Sequence, residues 1–459
     1  MAEYNLTPVS GTGSAVWMVR QRVWTALPVP ESLPLFEELR RSEPRSMSGQ
    51  PPVVWHHAEG ATIADRWGNR WIDWSSGVLV TNAGHGHPRI VAALKEAVER
   101  PLLATYVFPH EGRARLTGML SRTAPQLEGA TVFLLSTGSE ATENCIKLAK
   151  TYALEKHGPA KSIMVTFQNA FHGRTMGAQL AGGMAKGKRW LGSCCPQFVQ
   201  VPFPDGYKNP DTSFDLFLSS LAQRGVTPDR IAGVMTESYQ GVGPDFLPVE
   251  YARKLEAWCR QHDIVLVMDE VQAGFGRTGK MFCFEHYGVT PDLIACGKGI
   301  SSSLPLAAVI GRRDIMDLYA PGSMTSTHSA SPLAVTAAIA NLQVIEDEKL
   351  VERAARLGAW FNPELHRIQR KYPSVLGCCT GLGLVAGIQV VKPGTRTPDP
   401  DLATRINVAC MHRGLLMFAP VGVGGECVKI SPPLSIDEDC LRESAAVFEE
   451  AVDAVCRGL

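Results

Sequence analysis

Ile264-Val265-Leu266-Val267-Met268-Asp269-Glu270-Val271-Gln272 sets an apolar run directly against two adjacent carboxylates. The next apolar run, Leu293-Ile294-Ala295-Cys296, leads straight into Gly297-Lys298-Gly299-Ile300. Short apolar runs closed by polar residues read as strands buried on both faces, the kind found in mostly parallel sheets covered by helices. Three more lie upstream: Thr131-Val132-Phe133-Leu134-Leu135, Ser162-Ile163-Met164-Val165-Thr166 and Ile231-Ala232-Gly233-Val234-Met235. Between them run helical stretches such as Ala141 to Leu154, where Ala141, Cys145, Leu148, Ala149 and Tyr152 share one face. From about Ser75 this alternation defines an α/β layer architecture.

Working outward, 459 residues exceed the ~250–300 at which one hydrophobic core stops growing, so two lobes are expected. The first 50 or so residues are irregular, with helical pieces expected near Val16 to Trp24 and Leu33 to Arg41. Short strands are expected at Thr62 to Asp65 and Arg70 to Asp73, around the turn signal Gly68-Asn69. A long helical stretch runs from about Ala334 to Tyr372, and a smaller α+β segment closes the chain.

Composition excludes several classes. With 45% hydrophobic and 20% charged residues the chain reads as an ordinary globular protein. Lys+Arg and Asp+Glu both number 45, which removes the basic footprint of a nucleic-acid binder and leaves no charge block for a membrane surface. The 12 cysteines never fall in Cys-x-x-Cys spacing, and Cys194-Cys195 and Cys378-Cys379 are adjacent pairs. They read as buried thiols rather than a metal site. Met1-Ala2-Glu3-Tyr4 opens without a basic segment and apolar run, and no stretch nears the ~20 apolar residues of a membrane span. The expected setting is cytoplasmic, with small-molecule partners.

In open α/β sheets, ligands gather beyond the carboxyl ends of strands. Ser136-Thr137-Gly138-Ser139-Glu140 follows one strand and opens a helix. Free backbone N–H groups, the helix dipole and the hydroxyls of Thr137 and Ser139 form a cup for phosphate. The plain alternative is that Ser139 is only an N-cap. Asp269 and Glu270 end a wholly apolar strand, where a carboxylate is costly without a partner. A pyridinium nitrogen would serve; an ion pair or helix cap is the alternative. Lys298 stands between two glycines that permit close approach, and a partly desolvated lysine can form an imine; an exposed loop lysine is the alternative. Glu237 closes another strand before Gln240-Gly241. Asn169-Ala170-Phe171-His172-Gly173-Arg174 offers a flat ring for stacking and a guanidinium fork for a carboxylate, against which Phe171 as plain core packing must be weighed.

Phosphate cup, aromatic, Asp and Lys in this order resemble the class III (ω-amino acid) aminotransferases of the type I pyridoxal-phosphate fold, and 4-aminobutyrate aminotransferases among them. The likeness runs from about Trp55 to the C-terminus. It takes in Gly84-His85-Gly86-His87-Pro88, Thr137 to Ala141, Phe171 to Thr175, Asp269 to Gln272 and the Gly-Lys-Gly segment. It continues through Leu304-Pro305-Leu306-Ala307, Ser326-Thr327-His328-Ser329 and Pro432-Pro433-Leu434.

The resemblance implies a large domain over 76–335, with a mostly parallel seven-stranded sheet. It also implies a small α+β domain over 336–459, against which an N-terminal segment 1–75 packs. Lys298 would carry pyridoxal 5'-phosphate as a Schiff base and shuttle the proton between Cα and C4′. Asp269 would pair with the pyridine nitrogen, Gln272 would approach the phenolic oxygen, and Phe171 and Val271 would sandwich the ring. Gly138 and Ser139 would hold the phosphate, Thr137 and His172 join the cofactor contacts, and Glu237 would stand behind them. Thr327 would reach the phosphate in a neighbouring subunit, which implies a homodimer; assembly beyond that, including a tetramer, is not encoded in any motif.

For substrate, Arg174 matches the arginine that receives a distal carboxylate in 4-aminobutyrate aminotransferases. Lys429 stands where many relatives carry an arginine for the α-carboxylate, and lysine lacks the bidentate fork. Val78 stands where a decarboxylating relative uses glutamine. Val242 stands near where dual-specificity relatives place a glutamate and racemases an acid. The expected activity is amino transfer from an ω-amino acid or primary amine to pyruvate or 2-oxoglutarate. The alternatives are an amino-acid racemase or epimerase, a decarboxylase, or a non-enzymatic binding module that would have no need of Lys298.

Overall fold

The computed structural model describes residues 4–11, 14–15, 22–100, 102–192 and 195–458. The chain falls into two compact units: one is Pro88–Glu352, the other joins the residues up to His87 with those from Arg353 onward. Of the expected helix near Val16 to Trp24, residues 16–21 lie outside the described residues, and Arg22 is extended and bridges Arg70.

Pro88–Glu352 is built on one seven-stranded sheet. Its strands are β1 (Thr131–Leu135), β2 (Ile163–Phe167), β3 (Phe198–Val201), β4 (Ile231–Glu237), β5 (Val265–Asp269), β6 (Leu293–Cys296) and β7 (Ala307–Gly311), in the order β1-β7-β6-β5-β4-β2-β3. All neighbours are parallel except β7, which runs antiparallel to both β6 and β1. The apolar runs produce this layout directly: β2, β4, β5 and β6 are buried along their whole length. Each Val, Leu or Ile so placed contributes about 1.5–3 kcal/mol through burial.

Helix α1 (Gly138–His157) covers one face, setting Ala141, Cys145, Leu148, Ala149 and Tyr152 into the core with Met164, Met235, Val267 and Ala295. Those five are the face expected from the sequence. The register pairs Asp269 with Glu237 on one side and Ala295 on the other. The carboxyl ends of β4, β5 and β6 therefore emerge side by side. The long helical stretch is two helices, Pro332–Asp347 and Leu350–Lys371. The break falls at Glu348–Lys349, where Lys349 takes a left-handed conformation (φ 51°), a common way for a helix to end.

In the other unit, an antiparallel sheet joins Leu376–Leu382, Val385–Val390 and Cys427–Ile430. A second runs Leu415–Leu416, Arg70–Asp73, Thr62–Ala64, His57–Glu59. Trp71 and Trp74 are fully buried and each indole N–H finds an acceptor, the Met411 carbonyl and Ser444 Oγ, both at 2.9 Å. Among the described residues no helix is long and apolar enough to cross a membrane.

Candidate active site

A cavity of about 140 Å³ opens beyond the carboxyl ends of the central strands, lined by Thr137, Gly138, Ser139, Phe171, His172, Gly173, Glu237, Asp269, Val271, Gln272 and Lys298. Ten of the residues singled out in the sequence thus meet in one place. The eleventh, Gly173, carried no polar or ring group to mark it. Its φ of 130°, and a Cβ that would fall 2.3 Å from Ser139 Oγ, explain why only glycine fits.

The α1 N-terminus is capped by Thr137, not Ser139. Thr137 Oγ1 accepts the Glu140 N–H at 3.3 Å, while Glu140 Oε2 accepts from the N–H groups of Ser136 at 2.7 Å and Thr137 at 3.2 Å. This reciprocal capping box leaves the N–H groups of Gly138 and Ser139 outside the cap, at the positive end of a 20-residue helix. A Cβ on Gly138 would lie 2.7 Å from Val271 Cγ1, and one on Gly297 3.2 Å from the same atom. Both glycines let the strand ends and Val271 close over the cup.

The adjacent carboxylates divide by the alternation of the strand. Asp269 faces the cavity: Oδ1 accepts from Val271 N at 3.0 Å and Oδ2 pairs with His172 Nδ1 at 2.7 Å. Glu270 turns away and is fully buried, accepting from Ser238 Oγ and from the N–H groups of Cys283 and Phe284, each at 2.9 Å. Glu270 is therefore structural. Burial pushes it up to about 7, against the pull of those hydrogen bonds. Because the unfolded carboxyl titrates near 4.5, the folded protein holds the extra proton in between. That stabilisation is full below about pH 4.5 and is lost as pH rises through 7. The melting temperature of Glu270→Gln minus that of the wild type should therefore climb across this window, by the equivalent of about 3 kcal/mol at most.

Glu237 bridges two loops, accepting from Phe171 N at 2.9 Å and Gly241 N at 2.8 Å. Burial pushes it, too, up to about 7, partly offset by His172. Burial lowers Lys298 below the ordinary lysine value, although Asp269 and Glu237 pull it back up. The Lys298 backbone is left-handed (φ 43°), a strained conformation for a residue with a side chain. Gln272 lies over Gly241, where a Cβ would come within 2.1 Å of its amide.

Arg174 is exposed at the cavity edge, with its guanidinium carbon 5.5 Å from the Phe171 ring centroid and its N–H 3.4 Å from Ser139 Oγ. Thr327 is exposed on the same unit and does not line the cavity. Lys429 and Val78 belong to the other unit. Lys429 is buried in the strand Cys427–Ile430 opposite Gly387. Val78 is 45% exposed on a turn, Ser76–Leu79, whose four residues all have φ between 49° and 65°. Such a run is costly for side-chain-bearing residues.

Residues 45–452 match the aminotransferase class-III family. A 4-aminobutyrate aminotransferase of Mycobacterium leprae is 34% identical, over 95% of this chain and 98% of its own. An alanine/serine racemase of Pyrococcus horikoshii is 32% identical, over 89% and 87% respectively. The ornithine aminotransferase of Toxoplasma gondii superposes with a TM-score of 0.83 at 28% identity, covering 94% of this chain and 97% of that one. The chain belongs to the class-III aminotransferases, enzymes that move amino groups with pyridoxal phosphate.

Proposed function

We propose that this aminotransferase takes the amino group of an ω-amino acid or primary amine and delivers it to a 2-oxo acid, pyruvate or 2-oxoglutarate, with the cofactor carried on Lys298. The observation that carries the reading is one cavity holding a partly desolvated lysine, a buried carboxylate and an open helix N-terminus, with an arginine at its edge.

The residues present fit pyridoxal 5'-phosphate. The N–H groups of Gly138 and Ser139, with the hydroxyls of Ser139 and Thr137, would take the phosphate. Asp269 would hold the proton of the pyridine nitrogen, Gln272 would reach the phenolic oxygen, and Phe171 and Val271 would cover the ring faces. Glu237 would keep the Phe171 loop in place. When bound, the cofactor supplies an electron sink for a carbanion at the substrate's Cα. Lys298 Nζ, its proton affinity lowered by burial, would accept the proton from the carbon that bears the amino group and return it two atoms away, at the cofactor's C4′. Val78 and Lys429 are assigned to substrate contact on the family likeness alone.

Arg174 sets the donor class. A charge-assisted guanidinium–carboxylate contact contributes about 2–3 kcal/mol. Arg174→Ala should therefore raise KM for a donor with a distal carboxylate by about 30–150-fold, while a primary amine that carries no carboxylate is used as before. A uniform change for both would remove Arg174 from substrate recognition. Val242 offers no proton-bearing group, so a racemase acting through a second acid at that position is disfavoured. Incubating amine, 2-oxo acid and cofactor-loaded enzyme should yield the new amino acid. A protein that keeps its cofactor yet gives no product with any donor would refute the proposal.

The working form is proposed to be a homodimer with Thr327 contributed across the interface. Support comes from exposed Leu102, Leu103, Tyr106, Val107 and Phe108, an apolar run of the kind that marks an interface. This run is joined to the Thr327 segment: Tyr106 Oη lies 3.0 Å from Thr325 Oγ1, and Ser331 Oγ donates to the Leu103 carbonyl at 3.5 Å. Sedimentation should return twice the 49.8 kDa chain mass, and Phe108→Asp should shift the species toward one chain mass. A wild type that runs at 49.8 kDa would remove the dimer.

A further inference from the structure

Gln389 is 3% exposed, and neither its amide nitrogen nor its amide oxygen has a hydrogen-bond partner among the described residues. A buried amide left without partners is costly. Leucine or methionine would fill the same space in the strand Val385–Val390, which is buried along its whole length. A polar group kept at such a place points to a partner that arrives with a ligand.

The register shows what stands beside it. Gln389 pairs with Cys378 and Cys427, and Gly387 pairs with Thr380 and Lys429. Directly opposed residues of an antiparallel sheet share a face, and so do residues two apart along a strand. Gln389, Gly387 and Lys429 therefore lie on one face. The helix Leu350–Lys371 covers the other: a Cβ on Gly381, which pairs with Ala386, would fall 2.1 Å from Asn362 Oδ1 and 2.9 Å from the Ala386 Cβ. Lys429 is itself 3% exposed. It and Gln389 are diagonal neighbours, about 7–8 Å apart at the backbone and within reach of each other's long side chains. Gly387, opposite Lys429, puts no side chain between them.

An ammonium has three N–H donors, so a contact elsewhere leaves others, but it lacks the planar pair that arginine presents. A primary amide adds two N–H donors without adding charge. One donor from each, converging on the two oxygens of a carboxylate, makes a fork from two side chains.

We propose that Gln389 is a specificity-determining residue: its amide N–H and the Lys429 ammonium together hold the carboxylate that adjoins the carbonyl of the 2-oxo acid. The inference rests on the proposed function, which assigns Lys429 to the substrate. Recognition is then divided. Arg174 meets a distal carboxylate, and the Lys429–Gln389 pair meets the one that every 2-oxo acid carries.

Protein loaded with pyridoxamine 5'-phosphate would be mixed with pyruvate or with acetaldehyde, the same molecule with hydrogen in place of the carboxylate. 2-Oxoglutarate and succinic semialdehyde form a second such pair. The readout is the second-order rate at which the yellow pyridoxal form appears, taken as the ratio of 2-oxo acid to aldehyde, with folding checked by circular dichroism. Gln389→Met, matched in length, should lower that ratio about tenfold or more. Gln389→Glu keeps the shape and replaces the N–H groups by oxygen. It should lower the ratio further, and it decides the matter if the Met variant does not fold. Lys429→Arg restores the planar fork, and in that background Gln389→Met should cost less than about threefold. A packing role would slow acid and aldehyde alike, so an unchanged ratio overturns the proposal. An equal loss of ratio in the wild-type and Lys429→Arg backgrounds overturns it too. A wild type that converts neither 2-oxo acid nor aldehyde would instead contradict the proposed function, and this inference with it.

Discussion

Lys298→Ala should abolish transamination, with a fall in kcat of about 10⁵-fold or more, while the protein stays folded and still holds pyridoxal phosphate without a covalent link. The expected size follows from losing one group with two duties, attachment of the cofactor and movement of the Cα proton; removing such a nucleophile costs about 10⁶ in well-studied cases. Folding should survive because the lysine contributes little to the core. It sits in a left-handed backbone conformation and is drawn below its ordinary value by burial, so its side chain is held for chemistry rather than stability. Borohydride treatment of the loaded wild type should leave the cofactor's mass on the peptide containing Lys298, and none on the variant. Label on a different lysine would move the catalytic assignment elsewhere.

Asp269→Asn should lower kcat by about 10²–10³-fold with little change in the KM of the amine. Removing one preorganised electrostatic partner of a developing charge has this typical cost, and a loss confined to kcat marks an interaction made in the transition state. The amide can still accept from Val271 N through its oxygen. The other half of the amide would then point N–H groups at His172 Nδ1, where the wild type has Oδ2 at 2.7 Å. That forces the imidazole into the opposite tautomer. The negative charge opposite the ring nitrogen is also gone, so the cofactor should bind more weakly. Unchanged kcat in Asp269→Asn would mean that the ring nitrogen has another partner.

Much of the large unit was legible because its central strands carry their signal locally. β2, β4, β5 and β6 are buried on both faces, and four or five apolar residues in a row announce that. Two strands gave no such announcement on their own. Phe198–Val201 is short and alternates partly buried with buried residues. Ala307–Gly311 is fully buried but rich in alanine and glycine, weak strand formers; the count of seven came through the family likeness. A break of two residues at Glu348–Lys349 is likewise faint in composition, since a single left-handed residue makes it.

The site divides in the same way. Lys298, Asp269 and the Thr137–Ser139 cup each sit directly after an apolar run, so topology brings them together without further information. Which hydroxyl caps α1 depended on where the helix begins, and the reciprocal Thr137–Glu140 bonds settle it. The His172–Asp269 pair spans 97 residues, and no local pattern encodes such a contact. Nor does composition reveal that Glu270 faces away; the period-two alternation of the strand does, once its register is known.

The most direct test of amino transfer through this cavity is the visible absorption spectrum of the purified, cofactor-loaded protein, recorded before and after a panel of amines is added without any 2-oxo acid. The expected result is a yellow band that at least one amine bleaches and that pyruvate or 2-oxoglutarate restores, naming donor and acceptor together. A band that no amine bleaches would contradict amino transfer as the activity, and no band even with added pyridoxal phosphate would contradict the cofactor site itself.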